Sequence, residues 1–417
     1  MKADVLVLGA GAVGTAVALH LQTRGRQVAL VDRRGAAGRE ASFGNAGLIQ
    51  REAIYPYAFP RRLRTLLRYA TNRTTDVHYH PGALRALAPF LARYWHHSHP
   101  VRHDRAARAY ATLIEHCLDE TRGLAEVAGV ADLLRPTGWL KLFRTARQQD
   151  AELRQAAALT SRFGVVADRL DAPGLRALEP DLDPGLLGAL HYREPLAVVD
   201  PGRLVDAQRA AVERLGGRFL TGNGLTLRTV PGGWSVESRV GPVQAPAVVL
   251  ALGAWSGVVA GTLGYRLPLG VKRGYHMHYE PSGDATLGRP VLDAAHGYVL
   301  APMERGIRLT TGAEFANADA RRTPVQLDRA EPLARGLFPL GARRDPEPWM
   351  GLRPCMPDML PVIGPAPQHP RLWFAFGHGH QGLTLAAVTG RMIAEMICGE
   401  DPFVDAFPFR ADRPSLA

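Results

Sequence analysis

The stretch VLVLGAGAVGTAVALHLQTRGRQVALVD, residues 5–32, leaves the start of this chain little freedom in how to fold. A short apolar run, glycines at 9, 11 and 14, a segment of helical spacing and a second apolar run ending in Asp32 together spell a βαβ unit. The three glycines have separate tasks. Gly9 permits a tight turn, Gly11 lets the backbone come close to a pyrophosphate, and Gly14 lets helix and strand pack together. Ala12 and Val13 open the helix, whose first N–H groups and positive partial charge suit a phosphate. Asp32 stands where a ribose 2′-hydroxyl would be held, with Arg33 beside it, and an acid there argues against a 2′-phosphorylated cofactor. A bare GxGxxG is a weak signal. Its place between two strand-like runs, with an acid closing the second, makes it a dinucleotide fingerprint. NAD and FAD both use it, so the fingerprint alone does not choose between them.

A length of 417 residues suggests two domains, or one large domain with a second woven through it. With 46% apolar residues the chain can bury a sizeable core. Residues 83–128 read as largely helical, GWLKLFRT as a strand, and AELRQAAALTSRFG and PGRLVDAQRAAVERLGG as further helices. The runs WSVESRV, AVVLALGAW, GYHMHYE, GYVLAPM and GIRLTTGAEF form an antiparallel-looking set of strands. LWFAFG and a glycine turn with a helix close the chain. Cys117, Cys355 and Cys398 are far apart and odd in number, so free thiols are expected, with neither a disulfide framework nor a metal site. No apolar run is long enough to span a membrane, and the first strand is expected from about residue 3, too early for a signal peptide. A soluble cytoplasmic protein is the expectation.

The formal net charge is +11. Such a charge favours anionic substrates, nucleic acid or an anionic membrane, but the arginines are spread along the whole chain. One local concentration, RRLRTLLRYA at 61–70, puts leucines on one helical face and arginines on another. It is either a solvated basic helix or a peripheral contact with the inner face of the plasma membrane.

Six motifs, spread nearly end to end, carry a family resemblance: the fingerprint with EASFGNAGLI, PTGWLKLFRT, VVLALGAWS, VKRGYHMHY, GLRPCMPDMLPVIG and GHGHQGLTLAAVTGRMIAEMICG. With them the chain resembles the FAD-dependent amine and amino-acid oxidoreductases related to D-amino-acid oxidase and glycine oxidase, and within these the small-subunit-type D-amino-acid dehydrogenases of bacteria. The expected fold is mixed α/β: a discontinuous Rossmann-like FAD-binding domain (1–80, 150–260 and 345–417) interleaved with an antiparallel-sheet substrate domain (81–149 and 261–344). The resemblance implies that segment 42–48 passes beside the flavin ring. Ser42 and Asn45 would hydrogen-bond pyrophosphate or ring edge, and the amides of Ala46, Gly47 and Leu48 would approach N5 and O4. Leu225 would touch the adenine through its backbone, while Gly253 and Trp255 end the strand against the diphosphate. The turn 377–382 would enter the last helix and bring Gly379, His380, Gln381, Gly382, Leu383 and Thr384 to the N1–C2=O edge, where a helix N-terminus stabilises negative charge. Phe43 stands where some relatives carry a linking histidine, and Cys355 lacks the spacing of a linking cysteine, so noncovalent FAD is expected.

For the substrate, the family match points to Arg353 as the carboxylate anchor, its planar fork suiting a bidentate contact; the plain alternative is an ion pair with Asp358. Tyr275 would add a second donor, unless it is a sheet aromatic facing the core. His378 and His276 are candidate bases with packing roles as the alternative, and Tyr55 belongs either to a loop over the site or to the surface. The implied reaction is oxidation of the Cα–N bond of a D-amino acid, or of a cyclic imino acid such as D-proline or D-hydroxyproline. Hydride would pass to FAD, and the electrons then to a quinone, another carrier or oxygen. Alternatives are a glycine- or sarcosine-type secondary-amine oxidase, the flavin subunit of an amine dehydrogenase complex, and, more remotely, a tRNA-modifying flavoprotein. No nucleic-acid partner is expected, since there is no basic–aromatic stripe.

Overall fold

The computed structural model describes residues 2–416. Strand Val5–Leu8 runs parallel to Val28–Asp32 on one side and to Ala247–Leu250 on the other. Arg218–Val230 and Leu372–Phe376 extend this parallel core outward. Antiparallel strands Gly233–Ser238 and Gly241–Ala245 finish one edge of the eight-stranded sheet, and Val362–Pro365 finishes the other. The central strands Val5–Leu8, Val28–Asp32 and Ala247–Leu250 are apolar at every position except the terminal Asp32, because both faces are covered. Val5 and Val7 join the core beneath the helices, whereas Leu6 and Leu8 join the core on the opposite face.

Helices Ala12–Thr23, Pro201–Arg214 and Ala386–Cys398 cover the first face. The first and last cross so closely that a Cβ on Gly390 would lie 2.7 Å from the carbonyl carbon of Ala16. That crossing ties the N-terminal fingerprint to the C-terminal motif, although nearly the whole chain separates them.

An eleven-stranded, mostly antiparallel sheet forms the second layer. Its long central strand, Gly270–Pro281, pairs with Gly306–Thr310 and with Trp349–Cys355. Several stretches pack across the boundaries expected from the sequence. Strands Val77–Tyr79, Ala167–Asp171, Gly188–Tyr192 and Trp349–Cys355 all pair into this second sheet. Helix Cys117–Ala128 instead packs on Pro201–Arg214 and Ala386–Cys398, where Leu124 and Ala125 enter the core of the parallel sheet. Helical spacing reveals that a helix has a buried face, but not which sheet that face covers.

The elements otherwise follow the sequence reading, with local differences. AVVLALGAW is a strand only through Leu250 and then turns in a 3-10 helix at Gly253–Trp255. The final glycine turn is a 3-10 helix at Gly379–Gln381, and the last α-helix begins only at Ala386. Helix Val325–Leu337 was hidden by Pro332 in its interior. Helix Leu63–Ala70 forms as expected, but none of its residues is buried.

Candidate active site

The glycine fingerprint answers two kinds of demand. Gly9 has φ +103°, and a Cβ there would fall 2.4 Å from the Ala251 carbonyl oxygen; a Cβ on Gly14 would fall 1.8 Å from the Gly9 oxygen. The protein's own backbone requires both. Around Gly11, by contrast, the nearest heavy atom to an added Cβ is Ser42 Oγ at 3.5 Å. Protein packing therefore does not require glycine at 11, and the space there lies open to a cavity of about 860 Å³. Ser42 Oγ accepts from the Ala12 N–H at 2.9 Å, which leaves its own proton to donate at the helix N-terminus. Asp32 accepts from the N–H groups of Ala10 (2.7 Å) and Arg34 (2.9 Å), and burial raises its pKa despite them. The Arg33 guanidinium lies 3.9 Å from the Trp255 ring centroid.

Segment 42–48 is held from behind. The Arg308 guanidinium donates to the carbonyls of Phe43 (3.1 Å) and Asn45 (2.5 Å) and to His278 Nε2 (3.0 Å), while His278 Nδ1 meets Asp345 at 2.6 Å. The Trp349 ring lies where a Cβ on Gly44 would stand, 1.7 Å from its nearest atom. Asn45 Oδ1 accepts from the Gly47 N–H at 2.9 Å, so this oxygen makes a turn rather than facing outward. Gly47, at φ +70°, leaves no room for a Cβ beside the Val198 carbonyl, at 2.4 Å. Across from it, Thr384 Oγ1 donates to Gln381 Oε1 (2.7 Å) and Gln381 Nε2 to Gln50 Oε1 (3.0 Å).

Arg353 lines the same cavity. Its guanidinium crosses over Gly274, where a Cβ would be 2.4 Å away, and donates to the Gly312 carbonyl at 2.8 Å. Asp358, the partner considered from sequence, is held by Arg413 at 2.7 and 3.0 Å. Arg353 has no carboxylate partner among the described residues, and burial lowers its pKa. Tyr275 also lines the cavity, but its hydroxyl is engaged within the core. Its hydroxyl donates to Glu314 at 3.0 Å and accepts from Arg273 at 2.7 Å and from the Thr323 N–H at 2.8 Å, so its single proton is engaged.

The histidines divide as well. His276 is buried outside the cavity wall, stacked on Trp349 at 4.9 Å between centroids, with its pKa pushed well below the usual range by burial. His378 lines the cavity but hydrogen-bonds Thr389 at 2.9 Å, and burial lowers its pKa to about 3. His276 thus stands outside the cavity wall, His378 is engaged by Thr389, and burial disfavours the charged form of both rings. Tyr55 is absent from the main cavity wall, and its hydroxyl bonds Arg162. Tyr57, two residues on, lines the cavity with its ring 4.6 Å from that of His380.

A family model described as FAD dependent oxidoreductase matches residues 4–396. The chain belongs to that family. A D-amino acid dehydrogenase of Cereibacter sphaeroides is 31% identical over 417 residues, which cover 98% of this chain and 95% of the relative. A D-amino-acid oxidase of Bradyrhizobium diazoefficiens is 29% identical over 98% of each chain. The solved structure of glycine oxidase from Geobacillus kaustophilus matches with a TM-score of 0.73 over 99% of both chains, at 23% identity, a likeness of fold.

The cavity of this FAD-dependent oxidoreductase fits its cofactor. Gly9, Gly11, Ala12, Val13, Asp32 and Arg33 line one end, with Leu225, Gly253 and Trp255; Ser42, Asn45, Ala46 and Leu48 line the middle. Gly379, His380, Gln381, Gly382 and Leu383 line it beside Arg353. Gly14, Gly47 and Thr384 stand behind this wall and shape it through packing, a turn and a hydrogen bond. Sequence reading missed Lys272, a buried cavity residue whose ammonium sits 3.9 Å from the Tyr94 ring centroid. Lys272 is the cross-strand neighbour of Arg353. Only the register between two remote strands could have revealed that pairing.

Proposed function

We propose that the protein oxidises the Cα–N bond of a D-amino acid or a cyclic imino acid, giving an imino product that water hydrolyses to a 2-oxo acid. The observation that carries this reading is Arg353: a guanidinium in the cavity wall with backbone acceptors behind it and no acid beside it. A substrate carboxylate would complete its hydrogen bonds, and Lys272 adds a second positive charge next to it. Noncovalent FAD, held along the fingerprint, segment 42–48 and the 377–382 turn, supplies the hydride acceptor when bound. With His276 outside the cavity wall and His378 engaged by Thr389, the chain orients a neutral amine instead of deprotonating Cα, and the proton lost from nitrogen leaves to solvent. The eight-stranded-sheet unit thus serves the cofactor and the eleven-stranded-sheet unit the substrate.

The test is anaerobic addition of a panel of D-, L- and cyclic amino acids to the yellow protein. Bleaching by D- or cyclic substrates is expected; bleaching by L-amino acids alone, or by none, overturns the reading. Acid precipitation should release the FAD into the supernatant, and colour retained in the pellet would mean a covalent link.

Electrons then pass to an acceptor, and helix Leu63–Ala70 suggests where. Leu63 and Leu67 are 69% and 61% exposed among arginines 61, 62, 64 and 68, while Leu66, Tyr69 and Ala70 line the cavity. A peripheral seat on an anionic membrane, close to a lipid-dissolved quinone, suits that pattern. Co-sedimentation with anionic but not neutral vesicles, lost on replacing Leu63 and Leu67 by serine, is the expected result.

A further inference from the structure

Beside the main cavity lies a second chamber of about 190 Å³, and the walls of the two share Gln50, Tyr57, Lys272 and residues 378–381. Arg353 faces only the larger space and Glu52 only the smaller. Glu52 is 7% exposed. Its Oε1 accepts from Gln50 Nε2 at 2.7 Å and from Trp139 Nε1 at 2.8 Å. Gln50 is itself held by Gln381, and Gln381 by Thr384, so the carboxyl group is locked in orientation by a chain of donors that all run toward it. Its second oxygen, Oε2, is buried without a hydrogen-bond partner.

A buried carboxylate oxygen lacking a donor is costly, and such a group calls for a specific account: a bound water, an ion or a ligand that completes it. The cation whose charge acts on Glu52 is Lys141, which is already paired with Glu152. Lys272 keeps its ammonium over the Tyr94 ring. Burial raises the Glu52 pKa to about 7, and a positive group at Oε2 would bring the carboxyl back to its ionised form. The wall also carries Trp139, Tyr110 and Tyr192, with Trp139 and Tyr192 stacked on each other, and both Lys141 and Lys272 line it with their ammonium groups already engaged.

An amino acid whose carboxylate rests on Arg353 keeps its α-amino group in the same chamber, because both groups hang from one carbon. Only its side chain can reach the neighbouring space. We propose that the smaller chamber is the side-chain subsite, and that Glu52 Oε2 accepts a hydrogen bond from an ammonium or guanidinium at the end of the substrate's side chain. Basic D-amino acids are then preferred over apolar ones of similar length. This rests on the amino-acid oxidation proposed above.

The experiment compares kcat/KM for D-lysine, D-arginine and D-norleucine in the FAD-loaded wild type and in Glu52→Gln, with FAD content read from absorbance. Wild type should favour the basic substrates by about tenfold or more. Gln at 52 can still accept from Gln50 and Trp139 but presents an NH₂ where Oε2 stood, so the preference should collapse. An equal ratio of basic to apolar rates in both proteins overturns the subsite, as does a wild type that shows no preference, whatever the variant does. Bleaching by D-norleucine with no preference removes Glu52 from recognition while leaving the general reading intact. Bleaching by no amino acid removes both.

Discussion

At the scale of single residues, cations and hydroxyls in this cavity separate by whether the protein already satisfies them. Arg353 donates to backbone carbonyls and has no carboxylate partner among the described residues, which suits the substrate role proposed for it. Replacing it with alanine should raise the KM for the amino acid roughly tenfold or more, the loss of a charge-assisted contact, with FAD content intact. An unchanged KM would remove Arg353 from substrate binding. Tyr275 behaves oppositely, since its hydroxyl is fully bonded within the Arg273–Glu314 cluster. Tyr275→Phe should cost about 1–3 kcal/mol of stability by leaving buried partners unmet, and should leave KM alone. A raised KM without a fall in Tm would show that the hydroxyl faces substrate after all. From sequence the two residues looked alike, as polar groups in matched motifs. Whether a partner waits behind each is a property of the neighbouring strands.

At the scale of elements, the loop at 42–48 depends on one guanidinium from the other sheet. Arg308 is buried, carries no carboxylate within hydrogen-bonding distance among the described residues, and grips two loop carbonyls. Arg308→Met should let this loop loosen and weaken FAD retention about tenfold or more, seen as loss of yellow colour on gel filtration. Full FAD retention would mean that Trp349 and the Gly47 turn hold the loop unaided. The loop's small residues were readable as a close approach to something flat. Gly44 shows part of that to be internal, because its missing side chain makes room for Trp349.

At the scale of the whole molecule, buried titrating groups set the response to acid. His20, His278 and His378 have pKa values lowered to about 3, about 4 and about 3, chiefly by burial. An unfolded chain takes up these protons near the ordinary value of 6.5 and the native one only well below it, so stability falls as pH drops from 6.5 toward the lowered values. Glu52 acts the other way. Its pKa is raised from 4.5 to about 7, the native state holds the extra proton, and stability rises as pH falls across that window. Three groups outweigh one, so Tm at saturating FAD should decline between about pH 6.5 and about pH 4. A Tm that holds or climbs over that range would show that the histidines are solvated. Glu52→Gln should also raise Tm near pH 8, by removing a carboxyl that is ionised against its surroundings.

The sequence by itself determined the cofactor end of this protein. Gly9 and Gly14 are local backbone demands, Asp32 closes a short strand, and all three lie within one βαβ unit whose geometry follows from neighbours in the chain. Tertiary structure decided the substrate end. Lys272 stands beside Arg353 through strand register, Tyr57 faces the main cavity while Tyr55 lines the smaller chamber, and Glu52 meets Trp139 across 87 residues. A glycine's freedom is a property of its own backbone and can be read in place. The partner of a buried charge is set by the packing of remote elements, and only the assembled fold says which charges are left for a ligand to meet.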